Sequence, residues 1–252
     1  MRKPLMAGNW KMNKTISEAV SVVKALKSAV ADISDVEILL CPSFTALYAV
    51  NNEVKGSNIN TGAQNLFWET KGAFTGEVSP AMVKDIGCSY VLVGHSERRQ
   101  YFGETNETVN KRTRAALAID LIPVVCVGET LAERESNITF QIIEKQIKEG
   151  LANLTPKHAS LTVIAYEPVW AIGTGKTATP DQAQEVHAFV RTIYAQMYKE
   201  AADKARILYG GSVNPGNVSE LMKQPDIDGV LVGGASLEAE SFVKLVKYFI
   251  AN

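Results

Sequence analysis

The sequence predicts an α/β fold, a single-domain (β/α)8 barrel that spans residues 1–252. Short apolar runs alternate with amphipathic stretches along the whole chain. The alternation repeats about eight times, with one strand roughly every 30 residues, and no Pro/Ser-rich linker divides the chain. A doubly wound sheet is the alternative, but eight βα units in about 250 residues are typical of a closed barrel.

The predicted strands are apolar runs that do not alternate with polar residues. This pattern is typical of strands buried on both faces, as in a parallel sheet. Each run is also too short to cross a bilayer. The eight runs lie near Leu5–Gly8, Glu37–Cys41, Ile59–Ala63, Tyr90–Gly94, Ile122–Val127, Thr162–Tyr166, Arg206–Tyr209 and Gly229–Val232.

The segments between the runs carry helix signals. The segment Thr15–Glu18 has the composition of a capping box, in which the first and fourth residues exchange hydrogen bonds. Ala19, Val23 and Leu26 then fall on one face of a helix. The dipeptide Thr179-Pro180 indicates another helix start, because Pro is favoured at the first helical position.

Composition excludes several classes of protein. The chain has 26 Lys+Arg and 27 Asp+Glu, so its net charge of −1 gives no basic surface for nucleic acid or a membrane. The cysteines Cys41, Cys88 and Cys126 are odd in number and far apart, which favours reduced thiols over a disulfide framework. The N-terminus lacks the apolar segment of a signal peptide. We expect a cytoplasmic protein with neither a nucleic-acid nor a membrane partner.

Polar residues suited to catalysis follow three of the predicted strands. Asn9 and Lys11 follow the first strand, His95 and Glu97 follow the fourth, and Glu167 follows the sixth. In a parallel barrel these positions converge on the C-terminal face. Strand ends are polar in general, but that rule does not explain a lysine, a histidine and a carboxylate at three separate ends. The pattern predicts an active site there.

Glycine pairs follow the last two predicted strands. They occur in Gly210-Gly211-Ser212 and in Gly233-Gly234. Glycine lets backbone N–H groups approach a ligand closely, and the last two βα loops of such barrels often hold a phosphate. Tight turns without a ligand are the alternative for either pair alone. Two pairs in both loops favour a phosphate site.

The segment between Pro168 and Pro180 is interpreted as a mobile lid over the site. It is rich in small residues and includes the stretch Gly173–Ala178. Its Gly-Lys-Thr suggests a P-loop, but that pattern requires glycine where Trp170 stands. A dinucleotide motif would follow an early strand and have an acidic residue about 20 positions on, and neither condition is met.

No cofactor and no metal are expected. His158, assigned to a loop, and His187, assigned to a helix, are interpreted as structural or solvated. No cluster of histidine, cysteine and carboxylate has the spacing of metal ligands. Cys126 ends a strand near the site, where a buried packing thiol is the favoured interpretation.

Several separated motifs, in order along the whole chain, resemble the triosephosphate isomerase family. No catalytic position of the family's pattern is altered. The resemblance implies a (β/α)8 barrel, a homodimer, no cofactor, and interconversion of dihydroxyacetone phosphate and glyceraldehyde 3-phosphate. The motifs lie at Gly8–Asn13, Gly72–Glu77, Gly94–Arg99, Ala165–Gly175, Tyr209–Val213 and Gly233–Leu237.

The resemblance also implies a role for each site residue. Glu167 corresponds to the base, and His95 to a neutral electrophile whose charge a nearby helix N-terminus disfavours. Lys11 supplies positive charge, Asn9 is a neutral donor beside it, and Glu97 orders the cluster. Backbone amides that hold the phosphate correspond to Gly173, Ser212, Gly233 and Gly234.

Two other functions remain as alternatives. A non-catalytic phosphate-binding barrel would keep the glycines and lose the base, whereas this chain keeps Glu167, His95 and Lys11 together. Another phosphate-handling barrel enzyme, such as a sugar-phosphate epimerase, would lack the His-Ser-Glu-Arg segment and the lid.

The segment Gly72–Glu77 carries an aromatic residue between small ones and is long for a simple turn. From the residues alone, folding onto its own barrel and insertion into a partner are equally favoured. The family resemblance implies insertion beside the partner's active-site loops, with Thr75 at the tip. A homodimer is therefore expected.

Overall fold

Eight parallel strands form a closed barrel in the computed structural model, which describes residues 2–172 and 177–249. Each strand pairs with its neighbours in sequence, and β1 pairs with β8 to close the sheet. The predicted barrel is therefore confirmed, and the doubly wound alternative is wrong. The strands are β1 Leu5–Asn9, β2 Glu37–Cys41, β3 Ile59–Ala63, β4 Tyr90–Val93, β5 Ile122–Val127, β6 Val163–Tyr166, β7 Arg206–Tyr209 and β8 Gly229–Val232.

Helices follow the strands and cover the outside of the barrel. The α-helices are α1 Ile16–Ala29, α2 Phe44–Val54, α3 Pro80–Ile86, α4 Ser96–Tyr101, α5 Asn106–Leu117, α6 Leu131–Glu135, α7 Thr139–Gly150, α8 Pro156–Leu161, α9 Pro180–Tyr198, α10 Val218–Met222 and α11 Ala239–Val246. Short 3-10 turns lie at Val169–Ala171, Lys199–Asp203 and Gly234–Ser236. In the ranges just given, no helix combines the length and the apolar character needed to cross a membrane.

The buried residues of the strands divide into two layers. Leu5 and Ala7 belong to a cluster inside the barrel, whereas Met6 belongs to the larger cluster between the sheet and the helices. Since successive side chains of a strand point to opposite faces, both faces are apolar. This packing explains why the strands show no polar alternation in the sequence.

Short sequence motifs determine where most of the helices and strands begin and end. The main-chain N–H of Thr15 donates to Glu18 Oε2 at 2.7 Å, so the capping box forms at the start of α1 as predicted. Strand β4 ends at Val93, one residue earlier than expected, because Gly94 turns away with a φ of +70°. The loop assignment of His158 is wrong, since this residue lies in α8.

Candidate active site

A cavity of about 400 Å³ opens at the C-terminal ends of β1, β4, β6, β7 and β8. It brings together most of the predicted site residues, and Glu97 contacts Lys11, one of the residues that line it. Gly173 lies outside the described residues. The predicted residues that line the cavity are Asn9, Lys11, His95, Glu167, Ser212, Gly233 and Gly234.

Glu167 is the residue directly after β6, and its side chain is almost fully buried. Two glycines, each directly after a neighbouring strand, make room for it. A Cβ on Gly128 would lie 1.8 Å from the main-chain oxygen of Glu167, and a Cβ on Gly210 would lie 2.9 Å from its Cγ. The end of β6 is therefore packed between two neighbouring chain segments, each of which contacts it through a glycine.

The carboxylate of Glu167 has two close partners. Its Oε2 accepts a hydrogen bond from the main-chain N–H of Ser96 at 2.9 Å, and its Oε1 lies 2.8 Å from His95 Nε2. Burial raises the pKa of Glu167, but the charge and hydrogen bond of His95 and the amide of Ser96 outweigh it, so the pKa is lowered overall. The carboxylate is consequently ionised at neutral pH, as a proton acceptor must be.

His95 is the N-cap of α4, and its Nδ1 accepts a hydrogen bond from the main-chain N–H of Glu97 at 3.3 Å. An acceptor nitrogen carries no proton, so the proton of the neutral ring belongs on Nε2, facing Glu167. Burial lowers the pKa of His95, but the charge and hydrogen bond of Glu167 and the charge of Glu97 together outweigh burial and raise the pKa overall. The expected helix N-terminus is present, yet the pKa of His95 is raised while it contacts Glu167.

Lys11 carries the positive charge at the cavity wall. Its Nζ donates to Glu97 Oε1 at 2.7 Å, and a Cβ on Gly233 would lie 3.3 Å from its Cε. Its backbone has a φ of +52°, a conformation held in part by its N–H, which donates to the Oδ1 of Asn9 at 3.0 Å. The β1 loop therefore places the ammonium group between the Glu97 carboxylate and the glycine loop after β8.

The loops after β7 and β8 supply the glycine-rich end of the cavity. A short 3-10 turn, Gly234–Ser236, lies in the loop after β8. The Ser236 hydroxyl donates to the main-chain oxygens of Val232 and Gly233 at 3.0 and 2.7 Å, which fixes this turn against the end of β8. The loop backbone thus lies next to Lys11, where an anion would find both amides and positive charge.

Sequence reasoning missed one buried carboxylate near the site. Glu129 accepts hydrogen bonds from the Tyr166 hydroxyl at 3.1 Å and the Trp170 indole N–H at 2.9 Å. Burial raises the pKa of Glu129, and these donors and the charge of Arg134 oppose that shift. A charged residue two positions beyond β5 was the available signal. Residues 173–176 of the predicted lid lie outside the described residues.

The other interpreted residues are buried and packed. His187 lies fully buried on α9, and burial lowers its pKa to about 4. Cys126 is buried inside the barrel, where burial raises the pKa of its thiol. Over the described ranges, no group of three or more histidines, cysteines and carboxylates is arranged to hold a metal ion.

The fold and the site define a class: a (β/α)8-barrel protein with a paired carboxylate and imidazole beside a lysine and glycine-rich loops. Comparison with known proteins narrows the class. The model of the family described as triosephosphate isomerase matches residues 4–249, and the chain belongs to that family.

Relatives agree along nearly the whole chain. A triosephosphate isomerase of Endomicrobium trichonymphae is 79% identical, with 98% of this chain and 99% of that protein covered. One from Moorella thermoacetica is 58% identical over the same shares. The crystal structure of triosephosphate isomerase from Bartonella henselae superposes with a TM-score of 0.90 at 36% identity, covering 98% of this chain and 99% of that one.

Proposed function

We propose that this chain catalyses the cofactor-independent interconversion of dihydroxyacetone phosphate and D-glyceraldehyde 3-phosphate through an enediolate, in glycolysis and gluconeogenesis. The observation that carries the proposal is the meeting of Glu167, His95 and Lys11 at one cavity beside two glycine loops. The family match over residues 4–249 supports it and supports one catalytic domain over residues 1–252.

Proton transfer is assigned to Glu167. Its carboxylate takes a proton from the hydroxyl-bearing carbon next to the carbonyl group and returns it to the former carbonyl carbon. The proton of that hydroxyl passes to the former carbonyl oxygen, so the two oxygens exchange roles and the isomerisation is complete. The bonds to Ser96 and His95 keep the carboxylate ionised before substrate arrives. When substrate binds, the carboxylate faces a buried substrate carbon in place of these partners. The groups that lower the pKa of Glu167 are then lost, and the carboxylate becomes a stronger base.

Stabilisation of the negative charge on the substrate oxygens is assigned to His95 and Lys11. The Nε2–H of His95 points to the side of the cavity where Glu167 lies, so it donates to the oxygen of the developing enediolate. Lys11 adds a fixed positive charge, Asn9 donates beside it, and Glu97 holds the ammonium group in place at 2.7 Å. Amides near Gly173, Ser212, Gly233 and Gly234 hold the phosphate.

A homodimer is proposed on the exposure of apolar side chains. In the loop 72–77 every residue is exposed, and Phe74 packs only partly, with its ring centroid 4.7 Å from that of Phe67. Met12, in the loop after β1, is 96% exposed, and Tyr101, the last residue of α4, is 68% exposed. Strands β1, β3 and β4 lie in the same half of the barrel, so these segments lie on one side of its mouth, where a second copy would cover them.

A cytoplasmic location is proposed because Cys41, Cys88 and Cys126 are all free thiols.

The function is tested with a coupled assay on D-glyceraldehyde 3-phosphate, without metal or added cofactor. Conversion to dihydroxyacetone phosphate is expected, and its absence in folded protein would overturn the proposal.

For the dimer, Thr75→Arg or Phe74→Asp is expected to give a folded monomer that has lost most of its activity, because Lys11 and His95 are misplaced. Sedimentation and assay of the same sample decide this, and a folded monomer with parental kcat would contradict it.

A further inference from the structure

The main chain directly after β5 continues to pair with the main chain directly after β6. The N–H of Glu167 donates to the oxygen of Val127 at 2.8 Å, and the N–H of Val169 donates to the oxygen of Glu129 at 3.1 Å. In this parallel pairing the main-chain groups of Val127 and Glu129, the residues before and after Gly128, face β6. The N–H and C=O of Gly128 itself therefore face the other neighbour, β4.

Strand β4 is too short to meet those groups. Its pairing with β5 ends at Val93 opposite Val125, and Gly94 then turns away with a φ of +70°. The side chain of Gln146, on α7, takes the place of the missing strand. Its Oε1 accepts from the N–H of Gly128 at 2.8 Å, and its Nε2 donates to the oxygen of Gly128 at 3.0 Å. A single side-chain amide thus satisfies both main-chain groups as a paired peptide would.

The backbone of Gly128 packs closely against the backbone of Glu167. A Cβ at Gly128 would lie 1.8 Å from the Glu167 oxygen and 2.7 Å from its carbonyl carbon. Any shift of Gly128 is consequently transmitted to the residue that carries the carboxylate. On this geometry we propose that Gln146 is a positioning residue for Glu167, acting through Gly128 without touching substrate. The proposal rests on the proposed role of Glu167 as the base.

The test substitutes Gln146→Met, which keeps the length of the side chain and removes both hydrogen bonds. We expect kcat to fall roughly 10- to 100-fold, because small displacements of a reacting group are costly. KM and the inhibition constant of inorganic phosphate should stay near parental values, since the phosphate loops follow β7 and β8. Gln146→Glu keeps only the acceptor, and its kcat should lie between those of Gln146→Met and the parent.

The chain offers a matched control in Gln184, on α9. Its side chain also bonds one residue twice, donating to Asp226 Oδ2 at 2.7 Å and accepting from the Asp226 N–H at 3.1 Å. Asp226 lies before β8, at the opposite end of the barrel. Gln184→Met should lower the melting temperature without lowering kcat. An equal loss of kcat in both variants, or parental kcat in Gln146→Met, would overturn the proposal.

A double-mutant cycle separates this proposal from the proposed function. Measured activity of the parent establishes the function first. In a Glu167→Gln background, the Gln146→Met substitution should then have little further effect on residual kcat, because the group that it positions has been removed. Full additivity of the two losses would show that Gln146 acts elsewhere and would overturn the positioning role, while the assignment of Glu167 would stand.

Discussion

The two ends of the barrel both hold buried carboxylates, but their partners differ in kind. At the N-terminal end, Asp228 accepts hydrogen bonds from Arg2 at 2.6 Å, from Arg191 at 2.7 Å and from the main-chain N–H of Ile207 at 2.8 Å. At the C-terminal end, Glu167 is held by an imidazole and a single amide. A guanidinium stays charged at every relevant pH, whereas an imidazole exchanges protons near neutrality. The partners of Asp228 suit a stabilising role, and those of Glu167 suit the proton transfer proposed for it.

Substitution of one carboxylate at each end gives the largest contrast. Glu167→Gln is expected to fold normally and to lose roughly 10³-fold or more in kcat, because the proposed proton acceptor is removed. Glu37→Gln, at the N-terminal end, removes a carboxylate that is bound by Arg206 and by the Tyr90 hydroxyl. It should destabilise the fold and leave kcat near the parental value. Steady-state kinetics with thermal unfolding measures both, and parental kcat in Glu167→Gln would refute its role.

A loss of stability alone is expected from Asp228→Asn. The substitution leaves Arg191 and Arg2 facing a neutral amide in a site where Asp228 is only 7% exposed. Removing one partner of a buried ion pair costs about 3 to 5 kcal/mol, and the partial exposure of Arg2 places this case at about 3. Urea unfolding monitors the change. A kcat reduced tenfold in the folded variant would show that the two ends are coupled.

The pH dependence of stability should report on His187, which lies between the two ends. Burial lowers its pKa to about 4 from an ordinary value near 6.5. Between these values the unfolded chain binds a proton that the folded chain does not, so the free energy of unfolding falls as pH decreases from 6.5 to 4. The difference between these two pKa values corresponds to about 3 kcal/mol of stability.

His187→Gln keeps a group able to donate to the main-chain oxygen of Asp226, which lies 3.2 Å from His187 Nδ1. The variant should flatten the decline in stability between pH 6.5 and 4 relative to the parent. Urea unfolding at several pH values measures it. Parallel profiles for the two proteins would show that His187 does not titrate as the burial of its ring predicts.

Much of the fold could be predicted from the sequence because its signals are local. The capping box at Thr15 and the Thr179-Pro180 pair mark helix starts in a way that depends on a few adjacent residues. The strands are recognisable since both of their faces are buried. The convergence of Lys11, His95 and Glu167 also follows once the strands are parallel, because all three residues follow strand ends.

The remainder depends on contacts that no local pattern encodes. Nothing near Gln146 in the sequence indicates that its amide reaches Gly128 on another element. The pKa of His95 is another example: the helix N-terminus was predictable, but the 2.8 Å approach of Glu167, which raises that pKa, was not. Both outcomes depend on distances between side chains that are set by the closure of the whole barrel.

The smallest expected effect concerns the Tyr90 hydroxyl at the N-terminal end. It donates to Glu37 Oε1 at 2.6 Å and accepts from Arg206 Nη2 at 2.9 Å. Tyr90→Phe should cost about 2 kcal/mol of stability, because hydrogen bonds to charged groups contribute more than neutral ones. Tyr194→Phe is the matched control: its buried hydroxyl donates to the neutral main-chain oxygen of Ala159 at 2.9 Å, so a loss of about 1 kcal/mol of stability is expected.

Urea unfolding ranks the stability losses of the two variants, and kcat should stay parental in both. Equal losses of stability would mean that charge adds nothing at this end, and a fall in kcat confined to Tyr90→Phe would mean that the interior of the barrel transmits strain from one end to the other.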